Sequence, residues 1–238
     1  MDDRFGLETA VKLAQIDLPE STQDHIVRYV ELLRVWQKAK NLVSKDTLND
    51  VWTRHVADGL QLIPLIHKWC SDFGGESVRV VDLGSGAGLP GMIVALGSAN
   101  SPAEAEDSKS RAAKCPRLAV TLVESNGRKA SFLRTVSRET GVPVTVLNER
   151  IEAVHTDGEV HADIITARAL APLPKLVALA QPWMEKGATA FFHKGGEYAS
   201  ELEEWTDVDA YDVVEHVSVV DPNSRILQIS GRVRRDQG

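Results

Sequence analysis

The spacing of apolar positions changes partway along the chain. Over residues 1–70 it is helical. Ile26, Tyr29, Val30, Leu33 and Trp36 form one stripe, which predicts a helix with that face in the core. Ser21-Thr22-Gln23-Asp24 ahead of the stripe has the form of a capping box. The polar stretch from Asn41 to Asn49 reads as a connection. A second helix is expected from about Leu48 to Trp69, bent or split at Pro64, which has no N–H to offer the helix.

From residue 78 short β-branched runs alternate with helical stretches. Val78–Leu83, Ala119–Glu124, Pro143–Leu147, Asp163–Ala167 and Ala188–His193 predict strands. Pro90–Leu96, Arg128–Thr140 and Leu173–Met184 predict helices. Such alternation implies a parallel sheet covered on both faces. The runs Val213–Val220 and Ile226–Val233 flank Asp221-Pro222-Asn223-Ser224 and predict an antiparallel hairpin at the sheet edge. The expectation is an α/β fold with a seven-stranded, mostly parallel sheet. Residues 1–70 form a helical extension packed on a core domain of residues 71–238. Residues 98–117 lack periodicity and read as a long, mobile surface loop.

Composition narrows the class. A chain of 238 residues with 43% hydrophobic content can build a full core without staples. Cys70 and Cys115 are too few for a disulfide framework or a four-thiolate metal site, and free thiols suit a reducing compartment. No apolar segment follows the charged Met1-Asp2-Asp3-Arg4, and no run is long enough to span a bilayer. A cytoplasmic protein, away from membranes and monomeric, is expected. The net charge of −7 argues against coating nucleic acid through bulk charge. The charge is uneven, however. Arg128, Lys129, Arg134, Arg138 and Arg150 crowd residues 125–150, and Arg225, Arg232, Arg234 and Arg235 crowd the tail. These are either solvated helix surfaces or a basic face.

The most informative segment is Asp82-Leu83-Gly84-Ser85-Gly86-Ala87-Gly88-Leu89-Pro90-Gly91. An apolar strand enters glycines at alternate positions and a helix follows. Glycine lets the backbone turn sharply and lets a ligand approach bare main chain. Leu89 would contribute a free N–H at the helix start. The spacing Gly84-x-Gly86-x-Gly88 is not the dinucleotide G-x-G-x-x-G. Asp82, at the loop entrance, would repel a pyrophosphate and attract a sulfonium, which favours S-adenosyl-L-methionine over NAD. Glu124 ends the second strand, where a carboxylate can accept both ribose hydroxyls of an adenosine. It stands 42 residues beyond Asp82, the excess falling in the 98–117 stretch. Backbone groups of Ile151 and Glu152, after the third strand, are placed to read an adenine edge. Arg168, after the fourth, either faces the ligand crevice or pairs with a neighbouring helix.

Five stretches then match a known family. They are Lys40-Asn41-Leu42-Val43-Ser44, Arg54-His55-Val56-Ala57-Asp58 and Asp82 through Gly91. Glu124-Ser125-Asn126-Gly127-Arg128-Lys129 with Phe132-Leu133-Arg134 is the fourth. The fifth is Arg150-Ile151-Glu152 followed by Thr166, Arg168-Ala169 and Lys194-Gly195. Over roughly residues 20–235 the chain resembles the RsmG family (glucose-inhibited division protein B), guanine-N7 methyltransferases of bacterial 16S ribosomal RNA. The resemblance implies a class I methyltransferase fold, a Rossmann-like sheet. It implies a cofactor site at Gly84, Gly86, Leu89, Glu124, Ile151, Glu152 and Arg168, and an RNA-facing set of Asn41, Arg54, His55 and Lys194. The partner implied is 16S ribosomal RNA or the assembling small subunit. Guanine N7 carries a free lone pair, so neither a catalytic base nor a metal is expected. The chain departs from the family at Gly59, where a serine is more usual. A small-molecule methyltransferase, or a non-catalytic ribosome-binding protein of the same fold, is the alternative.

Overall fold

The computed structural model describes residues 3–40, 42–71, 77–99, 117–156 and 159–232. Helices α1 (Asp3–Ala14) and α2 (Glu20–Lys40) lead the chain. The stripe Ile26, Tyr29, Val30 and Leu33 is fully buried, as its spacing demands, and Trp36 sets its ring edge-on to Phe132. The capping-box expectation is corrected: α2 already includes Ser21, and the Thr22 hydroxyl donates instead to the Ala99 carbonyl (2.6 Å).

The expected helix from Leu48 to Trp69 is several pieces. It consists of α3 (Lys45–Leu48), a π-helical turn (Trp52–Ala57), α4 (Asp58–Leu60) and α5 (Leu62–Cys70). The break falls at Gln61. Pro64 therefore sits in the first turn of α5, where a missing N–H loses no partner. The Gln61 side chain is used across the fold, donating to Asp58 and Ser218 and accepting from the Val219 N–H.

The seven strands are β1 (Ser77–Leu83), β2 (Arg117–Val123), β3 (Thr145–Leu147), β4 (Ile164–Arg168), β5 (Thr189–Lys194), β6 (Tyr211–Val217) and β7 (Arg225–Arg232). Their order is β3-β2-β1-β4-β5-β7-β6. The first five are parallel, and β7 runs antiparallel between β5 and β6. The hairpin expectation holds, with its second strand inside. Between β1 and β4 the connections reverse direction, which opens a crevice at the carboxyl ends of these strands.

Both sheet faces are covered, by α6 (Gly91–Ser98) and α7 (Gly127–Thr140) on one side and α8 (Ile151–Thr156), α9 (Leu173–Met184) and α10 (Tyr198–Glu204) on the other. Val78 and Val80 join a core with α6, α7 and the N-terminal helices. Val81 and Leu83 join a second core with α8 and α9. The helices of residues 3–70 thus share one core with the sheet. Tyr29, fully buried, donates its hydroxyl to the Ala87 carbonyl in the glycine loop (2.9 Å). The segment 98–117 lies mostly outside the described residues, with Ser98 ending α6 and Arg117 opening β2. Among the described residues no helix is long and apolar enough to cross a membrane.

Gly59 has a packing reason. A β carbon there would lie 2.6 Å from Cβ of Ile93, so α4 rests flush on α6 because the position is glycine. Gly59→Ser is expected to destabilise the protein by about 1–3 kcal/mol, the usual cost of overpacking. The shift in the urea midpoint checks this.

Candidate functional site

All three glycines of the loop sit in the left-handed region, with φ of 65° at Gly84, 57° at Gly86 and 90° at Gly88. The Ser85 N–H donates to the Val123 carbonyl (3.0 Å), which ties the loop to the end of β2. Glu124 holds it from the other side. One carboxylate oxygen accepts from the Gly86 N–H (2.8 Å) and the other from the Asn126 N–H (2.7 Å). Asn148, after β3, donates to the carbonyls of Glu124 and Ser125. The turns following β1, β2 and β3 are therefore one hydrogen-bonded unit.

Above this unit lies a cavity of about 330 Å³, lined by Gly84, Glu124, Ile151, Glu152, Leu170 and Lys175 among others. That size lies within the range of small-molecule pockets. A β carbon on Gly84 would come within 2.5 Å of Cδ1 of Leu170, and the positive φ disfavours any side chain there, so glycine keeps this wall bare. Four of the expected cofactor residues are thus brought together. Gly86 is one step removed, its N–H bound to Glu124. Leu89 is corrected: its N–H donates to the Ser85 carbonyl (3.0 Å) and is not free, and α6 begins at Gly91. Asp82 is also placed differently. It is fully buried, accepts from the Thr166 hydroxyl (2.7 Å) and lies behind Gly91, not at the loop mouth. Burial pushes its carboxyl up to about 6, against the pull of the Thr166 bond. The carboxylates that line the cavity are Glu124, Glu149 and Glu152.

A second cavity, of about 260 Å³, adjoins the first; its lining includes Arg54, Asp58, Arg168, Lys194, Asp221 and Arg225. Ala169, in the left-handed region at φ 51°, lines both cavities. Arg168 turns its side chain to the second. Its guanidinium pairs with Asp58 (2.7 Å) and lies 3.2 Å from Nδ1 of His55. Of the two positions open to Arg168, the structure combines pairing with a neighbouring helix and a place on a cavity wall. Asp58 also accepts from Gln61 (2.6 Å), and its carbonyl is 2.9 Å from Nε2 of His193.

Two residues of the expected RNA-facing set are held inside the fold. His55 is only 4% exposed. Burial first, and the Arg168 charge second, lower its pKa to about 4, so the ring is neutral near pH 7. Its Nε2 faces the Thr47 hydroxyl (3.1 Å). It supports Arg168 from below. Lys194 is also buried; it pairs with Glu201 and donates to the Ala171 carbonyl (3.1 Å). Arg54, by contrast, is exposed on the rim. Asn41 lies outside the described residues. The sequence assigns no site role to Asp58, Asn148, Leu170, Glu201 or Arg225. Asp58 was in view as the end of the Arg54–Asp58 stretch, but its partner Arg168 is far along the chain.

The lowered His55 pKa carries a stability prediction. The folded state resists protonating this ring, so its contribution is complete above about pH 6.5 and is lost as pH falls toward about 4. Asp82 acts in the opposite sense, contributing most at low pH and less as pH rises through about 6. Comparing wild type with His55→Gln cancels Asp82. Between pH 7.5 and 5 the wild type should lose on the order of 2 kcal/mol more than the variant, measured by urea unfolding at both pH values. Equal losses in the two proteins would refute it.

Comparison with known proteins places this arrangement. The family model described as "GidB: rRNA small subunit methyltransferase G" matches residues 22–229. The ribosomal RNA small subunit methyltransferases G of Brucella ovis and Brucella canis are each 39% identical over 214 residues, covering 90% of both chains. Among solved structures, cofactor-bound Rv0187 from MTB superposes with a TM-score of 0.55 at 14% identity, covering 88% of this chain and 89% of that one. The kinase-methyltransferase WbdD gives 0.51 at 14% identity, over 75% of this chain and 40% of its own. At such identity the structural likeness is one of fold, that of the class I methyltransferases. A family match from the second helix to the last strand, with relatives this similar over nine-tenths of their length, is decisive: the chain belongs to the rRNA small subunit methyltransferase G family.

Proposed function

We propose that this rRNA methyltransferase transfers a methyl group from S-adenosyl-L-methionine to N7 of a guanine in 16S ribosomal RNA, free or in an assembling small subunit. The observation that carries the reading is the pairing of two cavities across Ala169. One has a bare glycine wall and a carboxylate at the end of β2; the other is lined by arginines.

The residues of the first cavity suit the methyl donor. A side chain on Gly84 would project into the space, and among the described residues Glu124 accepts from two N–H groups, which leaves lone pairs for ribose hydroxyls. Ile151 and Glu152 present main chain where an adenine edge would lie. When bound, the donor supplies an electrophilic methyl group on a sulfonium. Guanine N7 already holds a lone pair, so no residue need remove a proton. The chain's work is to align the two reactants and exclude water, which can lower a barrier by roughly 7–11 kcal/mol. Arg168, held by Asp58 and His55, fixes the border between the cavities. Arg54, exposed on the rim, would meet RNA phosphates, making binding salt-sensitive.

The test is transfer of labelled methyl from S-adenosyl-L-methionine to small-subunit RNA lacking the modification, with mass mapping of the product. Label on a guanine at N7 is expected. Label on another atom, or none with RNA or assembling subunits, would overturn the proposal.

A further inference from the structure

We infer that Glu201 is a positioning residue for the methyl-donor cavity, acting through Lys194 and the start of α9 on the loop that walls it. The inference rests on the reading of that cavity given above.

The loop between β4 and α9 does much of the site's work. Ala169 borders both cavities, Leu170 covers Gly84, and Ala171 continues the donor wall. Ala169 holds a left-handed backbone, which a residue with a β carbon keeps only when its surroundings impose it. The described anchors come from one carboxylate and its partner. Glu201 accepts from the Leu173 N–H, a first-turn donor of α9 that Pro172 cannot cap by side chain. The same oxygen pairs with the Lys194 ammonium, which in turn donates to the Ala171 carbonyl (3.1 Å). The loop is thus gripped on both sides of Pro172.

Burial separates this from an ordinary surface ion pair. The Lys194 side chain is 8% exposed and that of Glu201 19%. A buried ammonium needs its counter-charge. Glu201 comes from α10, which has no buried residue of its own. Its neighbours Glu203 and Glu204 are exposed. Glu201 alone of that acidic run turns inward, and it lines neither cavity. It would act on the donor only through what it holds.

The experiment uses the full chain. Affinity for S-adenosyl-L-methionine is measured by calorimetry and affinity for small-subunit RNA by filter binding, with a thermal melt for each protein. Glu201→Ala should weaken the donor about tenfold and leave RNA affinity within twofold. Glu201→Gln, which keeps an acceptor for Leu173 but loses the charge, should weaken it less, and it carries the test if the alanine variant does not fold. Lys194→Met should also weaken the donor, and the double variant should fall short of the product of the two effects. Donor affinity unchanged in folded Glu201 variants, with only a lower melting temperature, would overturn the inference. So would a Lys194→Met protein that loses RNA while binding donor as wild type does. A wild-type protein that binds no donor removes the reading beneath the inference, and the inference with it.

Discussion

Gly84→Val is expected to lower affinity for S-adenosyl-L-methionine by at least about a hundredfold in a protein that still folds. Two effects combine. The backbone at Gly84 has φ of 65°, which costs an L residue roughly 1–2 kcal/mol and a β-branched one more. The new β carbon would also lie 2.5 Å from Leu170, so either the Leu170 wall shifts or the loop does. Either movement alters the wall that the donor would meet. Calorimetry gives the affinity, and circular dichroism shows whether the fold persists. Gly141→Ala is the control. Gly141 has φ of 71° after α7, with open space where a β carbon would stand. That variant should lose about 1 kcal/mol of stability and bind the donor as wild type does. A folded Gly84→Val protein with unchanged affinity would remove the glycine wall from the site.

Asp58→Ala should be the most destabilising change at the border of the two cavities, by about 3–5 kcal/mol. It removes the counter-charge of a largely buried guanidinium, and an uncompensated buried charge costs that much. Gln61 would lose a partner as well, and through it the link to Ser218 and Val219. Methyl transfer should fall with stability, because Arg168 would lose its anchor. The double variant Asp58→Ala/Arg168→Met separates the two consequences. Removing both charges is closer to neutral for folding, so the double variant should be more stable than Asp58→Ala and still poor in transfer. Chemical denaturation of the three proteins checks the order. If Asp58→Ala is as stable as wild type, the pair is not buried in the sense argued here.

How much of this was legible in the sequence follows from where each signal resides. The parallel strands could be read because residues such as Val80 and Val81 are buried on opposite faces, which demands an unbroken β-branched run. The glycine loop could be read because only glycine adopts three positive φ values in five residues without strain. The segmented helix after Leu48 could not, because its break at Gln61 is stabilised by Ser218 and Val219 from the far end of the chain. The resemblance puts His55 and Lys194 in an RNA-facing set, and it carries no signal for their burial. Their burial depends on Arg168, Glu201 and the loop that the two strands β4 and β5 bring together. Leu89 and Asp82 were located to the right loop, but the direction of an N–H or a carboxylate is set by how the turn closes.

Thr22 and Tyr29 of α2 bond to the carbonyls of Ala99 and Ala87, beyond and ahead of α6, and the ring of Tyr29 is wholly enclosed. A shortened version starting after residue 40 would bare the outer faces of α6 and α7 and release the glycine turn from its brace. The leading helices are a keel, and trimming them for crystallisation or by a protease would forfeit donor binding together with solubility.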